Sequence, residues 1–336
     1  MSQYKFANAS IAVGTYAGEA ARPYVAAAIL SADTIANNYV SVLQNVHSKA
    51  VLRKFSGAAI QANDDCGFST AAGQLTLGEA VLATSPLKVN EQVCNEDLRA
   101  TWESAQMSGQ NSAAPADFTT FVAQYVAAKV AENIEINIWG GNYDPTDGSL
   151  SGGGELGTAF DGLCHQLVDA TPGYEKVGNG AFTADNAATT GILTRLDDIV
   201  DNAPSEVQGD SNAVIYMSKK SLFLLQRAMS GLVQQATGTP GNGPVALSPT
   251  FLGDSRPLSY LGFPIVCPAG MANDTIIFCN PNQLYFGTDL LTDHVNASIL
   301  NLRDVTGDDV TRVIMQFSGG TQIVDAGSIA ISRRNG

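Results

Sequence analysis

The chain has 336 residues and a formal net charge of −14 at neutral pH, although only 15% of its residues are charged. The length predicts about two domains, and an acidic balance without a basic stripe argues against tight binding to nucleic acid or anionic membranes. The 5 cysteines form no C-x-x-C pair, which predicts reduced structural thiols rather than a disulfide framework. The N-terminus MSQYKFANAS lacks a signal-peptide pattern, so we expect a chain that is neither secreted by that route nor membrane-embedded.

The first half of the chain predicts two long helices separated by an extended excursion. Apolar residues recur at helical spacing over 18–46 and predict one helix. Residues 48–95 alternate around glycine and aspartate, which predicts a two-stranded ribbon with an irregular tip. An isolated ribbon is marginal in water, so we expect it to pack on its own body or on a neighbouring subunit.

The clearest helix signal covers residues 117–139. Asp117 is a good N-cap, and Gly140 with Gly141 supplies the stop. The predicted apolar face consists of Phe118, Phe121, Val122, Tyr125, Val126, Val130 and Ile134.

The second half mixes helices with short strands. Residues 191–204 predict an amphipathic helix, NAVIYM a buried strand, and Ser218 the cap of a further helix that ends at Gly231. GFPIV, TIIFC and QLYF then predict three strands separated by turns. The tail predicts a closing antiparallel set with a turn at the SGG of 318–320. The fold class is α+β.

No catalytic pattern emerges from the titratable residues. His47, His165 and His294 lie far apart, and the adjacent pair Cys164–His165 points to different faces of an element. Ser85-x-x-Lys88 lacks the companion motifs of the enzymes that use S-x-x-K. We therefore predict no catalytic residue, no cofactor and no metal site.

Two acidic clusters and two tryptophans leave a choice open. Asn142, Asp144 and Asp147 miss the calcium-loop spacing. The sequence does not decide whether Asp144/Asp147 or Asp304/Asp308 bind a cation weakly, and solvated turns are favoured. For Trp102 and Trp139, anchoring in a core or an interface is favoured over stacking on a sugar or base.

Three stretches resemble the major capsid proteins of tailed bacteriophages, of the Hong Kong 97 type. Gly262-Phe263-Pro264-Ile265-Val266, followed by Pro268 and Met271, looks like the family's G-[FY]-P-V strand and P-x-x-M turn. NPNQLYFG, residues 280–287, looks like its short N-x-x-N-L-x-x-G segment, and residues 312–332 look like its closing strands. The resemblance runs in order from about residue 20 to residue 334.

The resemblance implies a complete domain plan. Residues 1–46 would form an N-terminal arm and helix, and 47–96 an extended two-stranded E-loop. Residues 97–170 and 288–336 would form a peripheral domain with the spine helix at 117–139, and 171–287 a mixed α/β axial domain. Because the chain starts at the arm, a separate scaffolding protein is expected.

The implied function is self-assembly rather than catalysis. Hexamers and pentamers would form an icosahedral head around double-stranded DNA, assembled in the bacterial host cytoplasm. The implied partners are the chain itself, the scaffold, a portal and decoration proteins, without sequence-specific nucleic-acid binding and without a membrane. The candidate assembly residues are Arg53, Lys54, Lys88, Trp102, Gly262, Pro264, Asn280 and Pro281. Two alternatives remain open: an encapsulin-type nanocompartment shell, and an α+β hydrolase with a dispersed site.

Overall fold

The computed structural model describes residues 16–17, 33–57, 76–95, 118–142, 159–184, 190–229, 259–289, 298–302 and 307–335. Within these ranges the strands are β1 (Tyr16–Ala17), β2 (Ser41–Gln44), β3 (Lys49–Ser56), β4 (Thr76–Ala83), β5 (Ser85–Cys94), β6 (Tyr174–Asn179), β7 (Val214–Met217), β8 (Ser259–Tyr260), β9 (Phe263–Val266), β10 (Thr275–Cys279), β11 (Leu284–Thr288), β12 (Ser298–Asn301), β13 (Val310–Ile323) and β14 (Ala330–Asn335). The α-helices are α1 (Asp33–Ala36), α2 (Phe118–Gly140), α3 (Leu163–Asp169), α4 (Ile192–Asn202), α5 (Ser205–Gln208) and α6 (Lys219–Met229). Two 3₁₀ turns are η1 (Pro281–Gln283) and η2 (Ala326–Ser328).

The described strands form two mixed sheets and one separate ribbon. The first sheet has the order β1-β12-β13-β11-β2, and β5 pairs with β13 as well. The second has the order β6-β14-β10-β7-β9-β8. The pairs β11–β2, β14–β6 and β7–β9 are parallel, and the other described pairs are antiparallel. The ribbon consists of β3 and β4 alone.

The second sheet is covered on both faces, which divides the apolar core in two. One core cluster joins α2, α3 and the first sheet to residues such as Ile277 and Ile331 of the second sheet. The other packs α4 and α6 on residues such as Ile276 and Phe278. Neighbouring residues of β10 point into different clusters because side chains alternate along a strand.

Two connections along the chain join the two sheets. The chain passes from β10 in the second sheet to β11 in the first, and later from β13 in the first to β14 in the second. Among the described residues we find no helix with the length and apolar character needed to cross a bilayer.

The elements with strong periodicity are confirmed. The predicted helix at 117–139 is α2, with Val122, Val126, Val130 and Ile134 buried as expected. Tyr125 was predicted on the same face but is 48% exposed. The reason is its position at the rim of a groove beside β5 rather than over the core.

The later elements are confirmed too. The amphipathic segment at 191–204 forms α4, NAVIYM contains β7, and α6 follows Ser218, whose hydroxyl oxygen accepts the backbone N–H of Ser221 at 3.2 Å. The three strands expected between 262 and 288 are β9, β10 and β11. Asp117 and Gly231 lie outside the described residues.

The single helix predicted over 18–46 is wrong in its second half. Helix α1 ends at Ala36, and Asn38 has a left-handed φ of 55°, a conformation that asparagine adopts more readily than most residues. Val40 then leads into β2, which pairs in parallel with β11 far along the sequence. Residues 18–32 lie outside the described residues.

The turn predicted at 318–320 is also wrong. Ser318, Gly319 and Gly320 lie inside β13, which continues straight through them. A Cβ placed on Gly320 would lie 2.2 Å from the carbonyl oxygen of Ala83. Gly320 therefore allows two backbones to approach closely. Close approach of this kind, like a tight turn, is a common reason for glycine in a strand.

Candidate assembly surface

The ribbon of β3 and β4 is a regular antiparallel pair. Its register runs from Lys49 opposite Ala83 at the base to Ser56 opposite Thr76 at the far end. The predicted ribbon is confirmed over these residues, and its tip at 58–75 lies outside the described residues. One correction applies to its length, because β5, predicted as part of the excursion, pairs instead with β13.

One face of the ribbon exposes large apolar side chains in directly opposed pairs, and we call these four residues the ribbon face. Val51 (51% exposed) lies opposite Val81 (44%), and Phe55 (74%) lies opposite Leu77 (47%). Cross-strand apolar pairs stabilise a sheet, but leaving these in water forgoes about 1.5–3 kcal/mol for each side chain that full burial would contribute.

Only one polar pair interrupts the ribbon face. Arg53 and Glu79 are opposite each other between the two apolar pairs, with Arg53 Nε 3.5 Å from Glu79 Oε1. Both side chains are at least half exposed, so this ion pair contributes little to stability. Burial of the ribbon face would therefore remove apolar surface from water, and the Arg53–Glu79 pair lies at its centre.

The opposite face anchors the ribbon base to the first sheet. Leu82 is fully buried. A Cβ on Gly287 would lie 2.7 Å from Leu82 Cδ2. Gly287 pairs with Gly320 in the sheet, so two facing glycines form the flat seat on which the ribbon base rests.

A second contact lies further along the ribbon. Lys54 Nζ bonds to Asp325 Oδ2, in the segment that follows β13. The other oxygen of Asp325 accepts the backbone N–H of Gly327 at 3.1 Å. The ribbon therefore extends past the end of β13 and leans on its own body with one face while the ribbon face stays open.

The candidate residues named from the sequence fall into three separate places. Arg53 and Lys54 lie on the ribbon, and exposed Lys88 lies on β5. Trp102 lies outside the described residues. Trp139, by contrast, is a core residue: it is fully buried, and its Nε1 donates to Thr34 Oγ1 at 2.7 Å.

Gly262 and Pro264 belong to the β8–β9 hairpin. Leu261 and Gly262 form its two-residue turn, both with positive φ (49° and 92°). Such turns match the twist of the flanking strands. Pro264 pairs with Ser259 of β8, the last strand of the sheet.

Asn280 and Pro281 make a structural cap at η1. The Asn280 side chain accepts the backbone N–H of Asn282 at 2.9 Å, and Pro281 occupies the first turn. Asn280 Nδ2 also donates to Asp210. A hydrogen bond from the backbone of Asn212, followed by this one from Asn280, lowers the pKa of Asp210.

The described titratable groups do not assemble into a metal centre. In this part of the chain no three His, Cys, Asp or Glu side chains are placed to hold a metal ion. Cys164 is buried, and burial raises the pKa of its thiol to about 12. Its neighbour His165 points elsewhere, with Nδ1 4.0 Å from Asp161 Oδ1. His294, Asp144, Asp147 and Asp304 lie outside the described residues.

Sequence reasoning recognised the ribbon but missed the ribbon face. The signal was present, because Val51 and Phe55, like Leu77 and Val81, are four residues apart and share one side of a strand. What the sequence lacked was the register that brings the two pairs opposite each other.

No protein-family model matches the chain, and no curated protein matches it either. Its structure is similar to a chain in the satellite phage P4 procapsid including the size determination (Sid) protein, with a TM-score of 0.61, 11% identity and coverage of 94% of this chain and 90% of that chain. It is also similar to the capsid of the native GTA particle (TM-score 0.54, 16% identity, 92% and 90% covered). A third likeness is to Gordonia phage Cozz (TM-score 0.52, 11% identity, 90% and 87% covered). The chain therefore has the α+β fold found in these phage and particle capsid structures.

Proposed function

We propose that this chain is the major capsid protein of a tailed bacteriophage of the Hong Kong 97 type. Copies would associate into hexamers and pentamers and close into an icosahedral head around double-stranded DNA. The observation that carries the proposal is the ribbon face, two opposed apolar pairs left in water on a chain with a capsid fold. In a soluble monomer such a face stays in contact with water, whereas a subunit in a shell would bury it against a neighbour.

We assign the elements of the structure to the parts of this fold. Strands β3 and β4 serve as the extended E-loop and α2 as the spine helix of a peripheral domain. The second sheet, with α4 and α6, serves as the axial domain. We propose the division at residues 170 and 287, with two strands that cross it: β11 belongs mostly to the axial segment but pairs in the first sheet, and β14 belongs to the peripheral segment but pairs in the second sheet.

The charge of the chain supports the same role. A net charge of −14 leaves the wall of a shell acidic on average. Acidic walls repel phosphate, which keeps packaged DNA from adhering to them. We further propose a scaffolding protein, a portal and decoration proteins as partners, and assembly in the host cytoplasm.

The native mass of the purified chain tests the proposal. Light scattering after size exclusion, with negative-stain images of each peak, should reveal capsomers, sheets or closed shells. A chain that remains monomeric at high concentration and with crowding agents contradicts the proposal. The hydrolase alternative would then be tested by screening for activity.

A second candidate function has the same fold but a different content inside the shell. An encapsulin-type shell would enclose one cargo enzyme instead of DNA. Nuclease-resistant nucleic acid inside purified particles supports the phage head, and a single co-purifying enzyme supports the compartment.

A further inference from the structure

The exposed side of helix α6 carries cations and no carboxylate. Lys219, Phe223 and Arg227 follow one another four residues apart, so they share one side of the helix. All three are exposed, and this side lies opposite Leu225, which is fully buried in the core. The sequence of the whole helix contains no aspartate or glutamate. We call Lys219, Phe223 and Arg227 the basic patch.

A basic patch is unusual on this chain, which has 32 acidic and 18 basic residues. Phe223 lies between the two cations and is 61% exposed, so a large apolar side chain remains in water beside them. Lys220 is exposed too, but its Nζ lies 3.3 Å from Oδ2 of buried Asp274. We therefore leave Lys220 out of the basic patch, because it already has an anionic partner in its own chain.

The exposed side of helix α4 has the opposite charge. Asp197 and Asp201 are exposed, four residues apart, and lie on the side away from buried Ile199. The hydroxyl of Tyr260 donates to Asp197 Oδ1, which brings the β8–β9 hairpin against this side of α4. The next residue of the hairpin, Leu261, is 65% exposed. We call Asp197, Asp201 and Leu261 the acidic patch.

Leu261 adopts an unfavourable backbone conformation at this exposed position. Its φ of 49° lies in the left-handed region, which a bulky residue enters only at a cost in free energy. Glycine or asparagine would form the same turn with less strain. The turn therefore does not account for a leucine here, whereas contact of its side chain with a partner does.

The two patches of one chain do not face each other. Helices α4 and α6 pack on the same face of the second sheet, and each patch lies on the side of its helix away from that sheet. Both patches therefore point in the same direction, out of the molecule. Each holds one exposed apolar side chain beside two charges, and the charges of the two patches are opposite in sign.

We propose that the basic patch of one copy contacts the acidic patch of a neighbouring copy. The inference rests on the proposed shell function and adds a second contact between copies to that of the ribbon face. The neighbour brings two carboxylates to the two cations and Leu261 to Phe223, which removes both apolar side chains from water. Nucleic acid would offer phosphates to the same cations, but a chain with a net charge of −14 repels a polyanion.

Charge reversal with rescue tests the inference. One variant carries Lys219→Glu and Arg227→Glu, a second carries Asp197→Lys and Asp201→Lys, and a third carries all four substitutions. The four positions are exposed, so circular dichroism should show the parent fold. Light scattering over a concentration series gives the threshold concentration for assembly.

A second measurement leaves the charges in place. Phe223→Ala removes the aromatic ring of the basic patch, and Leu300→Ala is its control, because Leu300 is 41% exposed on β12 and belongs to neither patch. Phe223→Ala should raise the threshold about tenfold, and Leu300→Ala should leave it unchanged. This pair decides the question if a reversed chain loses the parent fold.

We expect each double reversal to raise the threshold at least about tenfold, because like charges then face each other. An equal mixture of the two reversed chains should assemble, and the chain with all four substitutions should return close to the parent threshold. Reversed chains that assemble like the parent, or a fourfold variant no better than the double ones, overturn the inference while the shell function stands.

Two further outcomes separate the remaining occupants. If Lys219→Glu with Arg227→Glu lowers the nucleic acid content of particles at an unchanged threshold, the inference is wrong and the basic patch contacts DNA. If the parent chain forms no particles, the shell function and this inference fail together.

Discussion

Removal of one aromatic ring from the ribbon face should weaken assembly without weakening the fold. Phe55 is 74% exposed in the single chain. Full burial of such a side chain contributes about 1.5–3 kcal/mol, so burying its exposed share against a neighbour contributes about 1–2 kcal/mol. Phe55→Ala forgoes that gain in every ribbon contact.

The same substitution should leave the free energy of unfolding of the unassembled chain within about 0.5 kcal/mol, as for most surface changes. In the proposed shell each copy would donate one ribbon, so the loss applies once per subunit. At about 1.4 kcal/mol per factor of ten, the concentration needed for assembly should rise roughly tenfold.

Light scattering over a concentration series measures this threshold, and urea unfolding followed by circular dichroism measures the fold. Leu300→Ala is the matched control, because Leu300 is 41% exposed but lies on β12, away from the ribbon. The reasoning is refuted if Phe55→Ala assembles at the parent threshold, or if Leu300→Ala raises the threshold equally.

Three further predictions concern the fold itself. Gly178→Ala should lower the free energy of unfolding by about 1–3 kcal/mol, because its Cβ would lie 1.2 Å from Nη2 of buried Arg195; unchanged urea unfolding would contradict this. Leu82→Ala should cost about 2–5 kcal/mol, since Leu82 is fully buried at the ribbon base. A measured loss below about 1 kcal/mol, well under that range, would show a loosely packed ribbon base. The Cys164 thiol, with its pKa raised from 9.0 to about 12, stays protonated in the fold while the unfolded thiol ionises, so stability should fall as pH rises from 9.0 towards 12. Cys164→Ala should flatten that slope, and in the native chain an alkylating reagent should modify exposed Cys94 before Cys164.

The parts of the fold that the sequence predicted are those set by local burial. Helix α2 repeats apolar residues at helical spacing, and the core takes up Val122, Val126, Val130 and Ile134. Helix α4 does the same on the other side of the second sheet. Such helix faces can be predicted from the sequence because each packs against one core cluster, and the spacing of its apolar residues does not depend on how the other elements are connected.

The errors arose where a distant partner decided the local structure. Val40 to Leu43 fit a helical stripe, but β11, more than two hundred residues away, recruits this segment into a sheet. Gly319 and Gly320 look like a turn, but they lie inside a strand. Gly320 is needed there because the backbone at the ribbon base lies too close for a side chain. Neither partner leaves a trace in the nearby sequence.

The candidate surface was half predictable for the same reason. Alternation indicated a ribbon in need of support, whereas the opposed pairs of the ribbon face depend on register, and the groove depends on how α2 packs beside β5. The sequence also could not show that the excursion divides at Thr84, with β5 joining the body.

That division gives the ribbon a mechanical role. Thr84 is the single residue between β4 and β5, and its backbone N–H donates to Ser48 O at 3.0 Å. Because this connection is one hydrogen-bonded residue, a force on the ribbon would pass directly into β5. From there it reaches β13, which pairs with β5 along ten residues and contributes to the core beneath α2. In the proposed shell, a neighbour that holds the ribbon would therefore also load α2, the longest of the described helices. Such coupling allows one subunit's packing to influence the next without a catalytic group.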